Sequence, residues 1–247
     1  MCDKTLTFVG CACVYKLVRL TGAIKSSTNA VMEISVFGIN LQLLPEKAIY
    51  IESHKSLLVA DVHLGKSETF QAKGIPISNQ VNQQTLDRLQ TLCTQFELKR
   101  LIILGDLFHS KFALVDEVLD SWQQFLQAIR VQVQLIVGNH DRALTSTLKT
   151  LPIECVTDAI QLESLLLSHE PTSRQDCFNI CGHVHPCIRL KTRLDSLRLP
   201  CFYLDHAQNL LMLPSFGEFT GGYEVQLKAT ATAYAVADSS IISFTGK

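Results

Sequence analysis

The stretch Leu101–His109 reads Leu-Ile-Ile-Leu-Gly-Asp-Leu-Phe-His. Its first four residues are too few for a helix and are apolar on both faces, which is typical of a strand buried in an α/β sheet. Gly105 permits a tight turn after the strand, where the backbone has to pass close to a ligand. Asp106 and His109 then supply polar groups at the carboxyl end. The stretch therefore predicts a buried strand that leads into a functional loop.

Similar apolar runs recur on both sides of this stretch. They are too short for helices, and we interpret them as further buried strands: Leu57–Ala60, Leu135–Val137 and Leu165–Leu167. Two segments between them, Val81–Phe96 and Leu114–Ile129, carry apolar residues at helical spacing and are predicted as crossover helices. Alternating apolar residues from Ile34 to Leu43 around Gly38 predict a hairpin.

The last third of the chain changes character. Short apolar runs separated by turn residues predict a second, mostly antiparallel sheet, with strands near 177–181, 201–205, 210–213, 231–237 and 241–244. Alternating strands and helices followed by a strand-rich half predict an α/β fold of two packed sheets flanked by helices.

Length and composition limit the class of protein. A chain of 247 residues with 47% hydrophobic composition can bury the core of one domain. The net charge of -1 argues against a protein that holds nucleic acid mainly through an overall positive field, so any contact with DNA must be local. Nine cysteines without a secretory signal fit reduced thiols better than a disulfide framework. We therefore expect a cytoplasmic protein that does not associate with membranes.

The N-terminus is expected to differ from the rest. The apolar run Phe8–Leu20 is interrupted by Lys16 and Arg19 and is too short for a membrane span of about 20 residues. A linker of Ser, Thr and Asn follows, and strand-like patterning begins at Met32. We expect residues 1–31 to be a dispensable or poorly ordered extension, or the result of a misplaced start, and residues 32–247 to form one domain.

Five polar clusters follow predicted strands and contain six of the eight histidines. They are Asp61–His63, Gly105–His109, Gly138–Asp141, Ser168–His169 and Gly182–His185. Loops at the carboxyl ends of strands converge in α/β sheets, so the clusters predict one site. Their carboxylates, amide and imidazoles are donors that suit Mn²⁺, Fe or Zn²⁺. A histidine outside such clusters, such as His54 or His206, is better read as a hydrogen-bonded loop residue.

The order Asp-x-His, Gly-Asp, Gly-Asn-His-Asp, His and Gly-His-x-His resembles the calcineurin-like metallophosphoesterases. The resemblance implies their four-layer sandwich, two mixed β-sheets flanked by helices, and two divalent cations. It assigns one cation to Asp61, His63, Asp106 and His185. It assigns the other to Asp106, Asn139, His169 and His183. Asp106 is then shared by both.

The same resemblance implies a reaction. Two cations about 3.5–4 Å apart can polarise a phosphoryl group and lower the pKa of a water molecule. His140 would approach the phosphate and protonate the leaving oxygen, and Asp141 would orient the ring of His140. The cations would neutralise the developing charge, so neither a basic cradle nor a glycine-rich phosphate loop is required.

Most of Met32–Tyr223 is similar to the ligase-associated DNA damage response endonucleases. The similar stretches are Leu43–Ala48, Ala60–Lys66, Leu197–Phe202 and Leu213–Gly222. This implies a bacterial DNA endonuclease in repair that uses Mn²⁺, with a DNA ligase and a DEAD-box-type helicase as functional partners. Gly105–His109 also resembles a run in the nuclease subunit of the double-strand-break repair complex, which implies that His109 positions DNA. The alternative is that His109 only hydrogen-bonds a loop.

A local basic group follows the last histidine cluster. Arg189, Lys191, Arg193 and Arg198 face a single acid, Asp195, in this segment, and we interpret them as candidate DNA-binding residues. An ordinary solvated face is the alternative.

Two other functions remain open at the sequence level. One is a phosphatase or phosphodiesterase acting on a nucleotide, a phosphoprotein or another small phosphoester. The other is a non-catalytic scaffold of the same fold, against which the intact Asn139, His140 and Asp141 argue.

Overall fold

The computed structural model describes residues 28–174, 176–191, 195–218 and 220–246. Of the predicted N-terminal extension, residues 1–27 therefore lie outside the described part of the chain. Thr28–Asn29 forms a short strand, β1, that pairs with the last strand of the chain. The domain boundary at Met32 stays a prediction.

The first sheet has seven strands. In chain order they are β2 (Met32–Val36), β3 (Ile39–Leu44), β4 (Ala48–Ile51), β5 (Ser56–Val59), β6 (Arg100–Ile103), β7 (Gln132–Ile136) and β8 (Glu154–Val156), and they are also neighbours in that order. Strands β2 to β5 are antiparallel, and β5 to β8 are parallel. The predicted hairpin is confirmed, because Phe37 and Gly38 both have the left-handed φ angles that a tight hairpin turn needs.

Four helices accompany this sheet: α1 (Lys66–Gln71), α2 (Gln80–Gln95), α3 (Asp116–Ile129) and α4 (Thr145–Leu148). The two long helices are the predicted crossovers, α2 between β5 and β6 and α3 between β6 and β7. Their apolar faces are buried against one face of the sheet, where Leu89 and Trp122 join Val59 and Leu101 in one cluster. The helical periodicity of the sequence thus predicted both their position and the face that they bury.

The second sheet contains the remaining strands. They are β1, β9 (Ala159–Leu162), β10 (Leu165–Ser168), β11 (Phe178–Cys181), β12 (Pro186–Lys191), β13 (Ser196–Asp205), β14 (Leu210–Met212), β15 (Tyr223–Glu224), β16 (Ala231–Ala237) and β17 (Ser240–Thr245). The main path runs β1-β17-β16-β13-β14-β11-β10-β9, while β12 joins β13 and β15 joins β12. In this path β10-β11 and β11-β14 are parallel and the other pairs are antiparallel.

The two sheets pack face to face. Leu58 and Leu104 from the first sheet and Leu167 and Phe202 from the second lie in one buried cluster. The predicted α/β fold of two packed mixed sheets is confirmed. Within the described residues the helices cover the first sheet, and side chains such as Leu197 cover the outer face of the second. The alanines of β16 lie on that outer face. Their small side chains allow the strands β12, β13 and β15, which pair with one another, to pack close to β16.

This packing brings strand ends from both sheets to one edge of the sandwich. The first sheet contributes the carboxyl ends of β5, β6 and β7, and the second contributes those of β10 and β11. No helix in the described ranges is long and apolar enough to cross a membrane.

Candidate metal centre

The loops after β5, β6, β7, β10 and β11 carry the five polar clusters and meet at this edge. Main-chain hydrogen bonds hold the loops to one another. Asp61 N donates to Gly105 O over 3.1 Å, and Gly182 N donates to His169 O over 3.0 Å. Because β10 and β11 belong to the second sheet, the clusters converge across the sheet interface and not at the edge of a single sheet.

Five site residues adopt left-handed backbone conformations. The φ angles are 54° for Asp61, 52° for His63, 54° for Asp106, 67° for His183 and 52° for His185. Residues with a Cβ rarely adopt such angles, and each one stores roughly 1–3 kcal/mol of strain. The surrounding hydrogen bonds hold the backbone in these turns, and the turns direct the side chains toward a common centre.

The first group of donors consists of Asp61, His63 and His185, whose ligand atoms lie within 4.8 Å of one another. Asp61 is fully buried, and its Oδ1 atom lies 3.2 Å from Nε2 of His185. Apart from this mutual approach, neither of these two buried atoms has a hydrogen-bond partner among the described residues. The Nδ1 atom of His185 faces Gly221 O at 3.2 Å and would donate to it, which leaves Nε2 free as a ligand.

The second group consists of Asp106, His169 and His183, also within 4.8 Å. Oδ1 of Asn139 lies 2.9 Å from both Nε2 of His169 and Nδ1 of His183, and these two ring nitrogens are 3.1 Å apart. Nδ1 of His169 lies 2.9 Å from Leu104 O and would donate to it. This fixes the tautomer in which Nε2 points toward the other donors.

Asp106 stands between the two groups. Its Oδ1 atom is 3.6 Å from Nε2 of His169, and its Oδ2 atom is 4.0 Å from Nε2 of His63. One carboxylate oxygen therefore faces each group, which suits a shared ligand, and Oδ1 also accepts a hydrogen bond from His140 N over 2.9 Å. The structure thus brings all seven candidate ligands to one centre, although His63 also lies within 4.8 Å of donor atoms of His109 and His140. The assignment of the ligands to two cations stays a prediction.

The donor set fits a pair of divalent cations. Buried polar atoms without a partner are unfavourable unless something else binds them. The unpaired atoms here are a carboxylate oxygen and imidazole nitrogens that converge with other O and N donors. Such donors suit Mn²⁺, Fe or Zn²⁺.

Burial also sets the protonation of this site. Burial, together with the neighbouring His185 and His109, lowers the pKa of His63 to about 2, so its ring is neutral and can act as a ligand. Burial raises the pKa of Asp106 in spite of the nearby histidines. Burial alone would lower the pKa of His185, but the adjacent Asp61 carboxylate raises it.

His140 lies beside the shared carboxylate. Its Nε2 atom is 3.9 Å from Oδ2 of Asp106, and its side chain is 37% exposed, so a substrate can reach it. Its Nδ1 atom is 2.5 Å from His109 O. The ring of His109 stacks on that of His140 with centroids 5.3 Å apart. Burial, followed by the charge of Lys66, lowers the pKa of His109 to about 4.

The prediction that Asp141 contacts and orients the ring of His140 is wrong. The Asp141 carboxylate is fully buried and accepts hydrogen bonds from the backbone N–H groups of Leu107, Phe108 and Gly138 at 3.0–3.4 Å. The backbone carbonyl of His109 occupies the position beside His140 Nδ1 instead. Asp141 therefore ties the loop after β6 to the loop after β7, and burial raises its pKa to about 6.

Two of the predicted glycine turns leave no space for a side chain. A Cβ atom at Gly105, which has a φ of 84°, would lie 2.0 Å from Nδ1 of His169. A Cβ atom at Gly138 would lie 2.2 Å from Oδ1 of Asp106. Glycine is therefore required here because donor side chains occupy the space next to the backbone.

The segment 214–218, which we call the bracing loop, supports the site from behind. Ser215 Oγ and Gly217 N both donate to Asp61 O, at 2.8 and 3.0 Å. Arg88 of α2 lies 4.3 Å from the centroid of the Phe216 ring and donates to Phe216 O and Glu218. This role could not be predicted from the sequence, because Asp61 and Arg88 lie far from the bracing loop along the chain. The similarity of Leu213–Gly222 to a family motif was the only signal.

The candidate DNA-binding residues differ in their distance from the metal centre and in their contacts. Arg198 lines a cavity of about 280 Å³ that also contains His185, whereas Arg189 forms a 2.7 Å ion pair with Glu224. Lys191 is exposed at the end of β12. Arg193 lies outside the described residues. On the opposite side of the site, His169 lines a second cavity of about 310 Å³ together with Arg142 and Arg174.

The chain is similar to one family model and to solved structures. The family model of calcineurin-like phosphoesterases matches residues 54–205, which include all seven candidate ligands. Among solved structures, the chain is similar to the Pseudomonas putida nuclease MPE, with 36% identity, a TM-score of 0.74, and coverage of 83% of this chain and 96% of that one. A protein of unknown function from Aquifex aeolicus matches at 22% identity and a TM-score of 0.38, over 53% of this chain and 78% of that one. No match is found among curated proteins.

Proposed function

Since this chain belongs to the calcineurin-like phosphoesterases, we propose that it is a two-metal phosphodiesterase that cleaves DNA as an endonuclease. Family membership makes it a hydrolase of phosphoesters. The step from phosphoester to DNA is supported by 36% identity to the Pseudomonas putida nuclease MPE over 96% of that chain. The observation that carries the two-metal part is the position of Asp106, which turns one oxygen toward each group of donors.

In this proposal Asp61, His63, Asp106 and His185 hold one divalent cation. Asp106, Asn139, His169 and His183 hold the other. Two such cations, when bound, polarise a phosphoryl group and lower the pKa of a water molecule. Hydrogen bonds to Gly221 O and Leu104 O keep the rings of His185 and His169 directed at the centre.

His140 is the proton donor to the leaving oxygen in this proposal. Its Nδ1 atom is held by the carbonyl of His109, so its exposed Nε2 atom can carry the proton toward substrate. His109 takes part through this carbonyl and through its stacked ring, which helps to position the DNA. Asp141 acts indirectly by fixing the two loops that carry His109 and His140.

The finer features of the reaction are also proposals. Mn²⁺ is the metal that we expect, with Fe or Zn²⁺ as the alternatives. Arg198, Arg189, Lys191 and Arg193 would contact the DNA backbone, with Arg198 nearest the site. The biological setting would be DNA repair in the cytoplasm, together with a DNA ligase and a DEAD-box-type helicase.

Substrate class can be tested directly. Purified protein with Mn²⁺ would be incubated with circular single-stranded DNA, with bis(p-nitrophenyl) phosphate and with p-nitrophenyl phosphate. We expect the circle to be cut, because an endonuclease needs no free end. The same reactions with EDTA and with Fe²⁺ or Zn²⁺ would test the metal.

The other outcomes point to other functions. Turnover of the small esters without DNA cleavage would replace the endonuclease with a phosphatase or phosphodiesterase of small substrates. No turnover with any of the three metals would favour a non-catalytic scaffold.

A further inference from the structure

A buried lysine beside the metal centre has no role in the proposed reaction. Lys66 is the first residue of α1, shortly after the candidate ligand His63, and only 9% of it is exposed. Its ammonium donates to Thr220 Oγ1 over 3.3 Å, and this hydroxyl is its only hydrogen-bond partner in the part of the chain that the structure describes. A buried charge is unfavourable unless it is paired, so such a lysine in a site is characteristic of a functional group.

No carboxylate among the described residues pairs with this ammonium. Glu218, the acid of the bracing loop, already forms ion pairs with two other cations. Glu68, in the same helix as Lys66, accepts hydrogen bonds from the Asn82 amide at 2.9 Å. Burial lowers the pKa of Lys66, and no neighbouring acid raises it. The protein therefore places a lysine at its metal centre without supplying a counter-ion.

The ammonium acts electrostatically on two histidines of the site. Burial is the main reason why the pKa values of His63 and His109 are low, and the charge of Lys66 lowers both further. Lys66 therefore lies on the side of the centre that these two rings form, where their centroids are 5.2 Å apart. Two divalent cations in the centre would repel the ammonium, so an anion bound beside it would stabilise the whole arrangement.

Thr220 connects Lys66 to the loop that supports His185. The next residue, Gly221, has its carbonyl oxygen 3.2 Å from Nδ1 of His185, and the carbonyl one residue further accepts a hydrogen bond from Arg198. Thr220, His185 and Arg198 all line the cavity of about 280 Å³. A strand that leaves the centre past His185 therefore enters a cavity with Arg198 in its wall and Lys66 behind Thr220.

We propose that Lys66 binds the DNA backbone phosphate next to the scissile one, on the His185 side of the centre, and so favours polynucleotides over small phosphodiesters. The inference deepens the proposed function and rests on it. Lys66 contacts neither Asp61 nor Asp106, so a phosphate held between the cations does not need it. The next phosphate along the strand lies beyond the cations and has to be neutralised by another positive group. The contact with Thr220 keeps the ammonium in place, which reduces the entropy lost on binding.

The salt dependence of DNA binding tests this contact. Lys66→Met keeps the apolar stem of the side chain and removes only the charge. Mn²⁺-loaded protein in a His140→Ala background, which leaves the strand intact, would be titrated with a single-stranded oligonucleotide at several NaCl concentrations. We expect Kd to rise by about tenfold or more, and the slope of log Kd against log [NaCl] to become shallower by about 0.7, the value for one phosphate contact. Lys66→Arg, which keeps the charge, should retain the slope.

A small substrate distinguishes the neighbouring phosphate from the scissile one. Lys66→Met with His140 intact would be assayed on bis(p-nitrophenyl) phosphate, and its Mn²⁺ content would be measured. We expect little change in either, because this diester has no second phosphate. Equal losses of DNA cleavage and small-ester hydrolysis, or loss of Mn²⁺, would assign Lys66 to the centre itself and overturn the inference.

Two further variants separate the charge from its surroundings. Lys99→Met removes an exposed lysine just before β6, at the end of the sheet opposite to the site, and should leave the salt slope unchanged. Thr220→Val removes the hydroxyl but keeps the ammonium, so it should also retain the slope.

The inference fails if Lys66→Met keeps the slope of its parent, or if Thr220→Val reproduces the loss. In the second case the lysine would act only by holding the loop. Either result is separate from the proposed function, which fails only if unsubstituted protein with Mn²⁺ leaves circular DNA uncut.

Discussion

Asp141 shows how a single residue can serve the site without touching substrate. Both of its carboxylate oxygens accept backbone N–H groups. In Asp141→Asn an amide NH₂ would face a donor, so we expect the free energy of unfolding to fall by about 1–3 kcal/mol. Urea denaturation would measure the loss. Asp238→Asn, at an exposed left-handed turn position, is the control and should have little effect. An equal change in both variants would contradict the anchoring role.

His140 has a different expected signature. His140→Ala should retain bound Mn²⁺, because His140 is outside both proposed ligand sets, but reduce turnover of DNA by roughly 10²- to 10⁴-fold. Metal content by mass spectrometry and cleavage rates would separate the two effects. His206→Ala changes an exposed histidine away from the site and serves as the control. Full activity in His140→Ala would remove His140 from the reaction.

At this scale the sequence predicted which side chains assemble but not how they contact one another. Residue type and position after a strand were enough to select Asp106 and His169 as members of one site. The partner of Asp141 could not be predicted, since both the His140 ring and a set of N–H groups are reasonable partners for a carboxylate. Only the fold of the Gly105–His109 loop places those N–H groups within 3.4 Å of Asp141.

Among the elements, the bracing loop and helix α2 act together on the metal centre. Arg88→Met should keep some packing on Phe216 but lose the bonds to Phe216 O and Glu218. We expect lower stability by about 1–3 kcal/mol and weaker Mn²⁺ retention, because the loop also holds Asp61 O. Arg130→Met, at the exposed end of α3, is the control. Unchanged Mn²⁺ affinity in Arg88→Met would contradict coupling between the bracing loop and the metal centre.

Helices and strands with strong apolar periodicity were predicted correctly. Features that depend on which strands pair with one another could not be predicted. Apolar runs gave β5, β6 and β7, and helical spacing gave α2 and α3. Helix α1 was missed because it has only six residues and no apolar stripe. The sequence could not show that β10 belongs to the second sheet, because an apolar run on both faces fits either sheet. Its partner β11 decides the matter.

For the whole molecule, metal binding should stabilise the fold. Unpaired donors from both sheets converge at the centre, so a bound cation would bridge the two halves of the sandwich. Metal at 100 times its Kd adds about 2.7 kcal/mol. For a chain of this size this corresponds to a rise in Tm of about 5–10 °C. Calorimetry with Mn²⁺ and with EDTA would measure it.

Asp106→Ala provides the matched comparison for this prediction. Without the shared carboxylate, the protein should bind less Mn²⁺ and its Tm should respond much less to the metal. Asp116→Ala, in the exposed first turn of α3, should behave like the unsubstituted protein. A full Mn²⁺-dependent shift in Asp106→Ala would show that Asp106 is not the shared ligand.

The left-handed conformations of Asp61, His63, Asp106, His183 and His185 have a consequence for evolution in the laboratory. Glycine accepts such angles without strain, so replacing any of these residues with glycine would relax the backbone while removing a donor. A library screened only for survival at high temperature in the presence of chelator should therefore accumulate glycine at the three histidine positions. Glycine at Asp61 or Asp106 would also remove the acceptor of the His183 or the His140 N–H group, so we expect no enrichment there. A screen that also demands turnover should reject the glycine clones, so heat resistance and catalysis favour different residues at the three histidine positions.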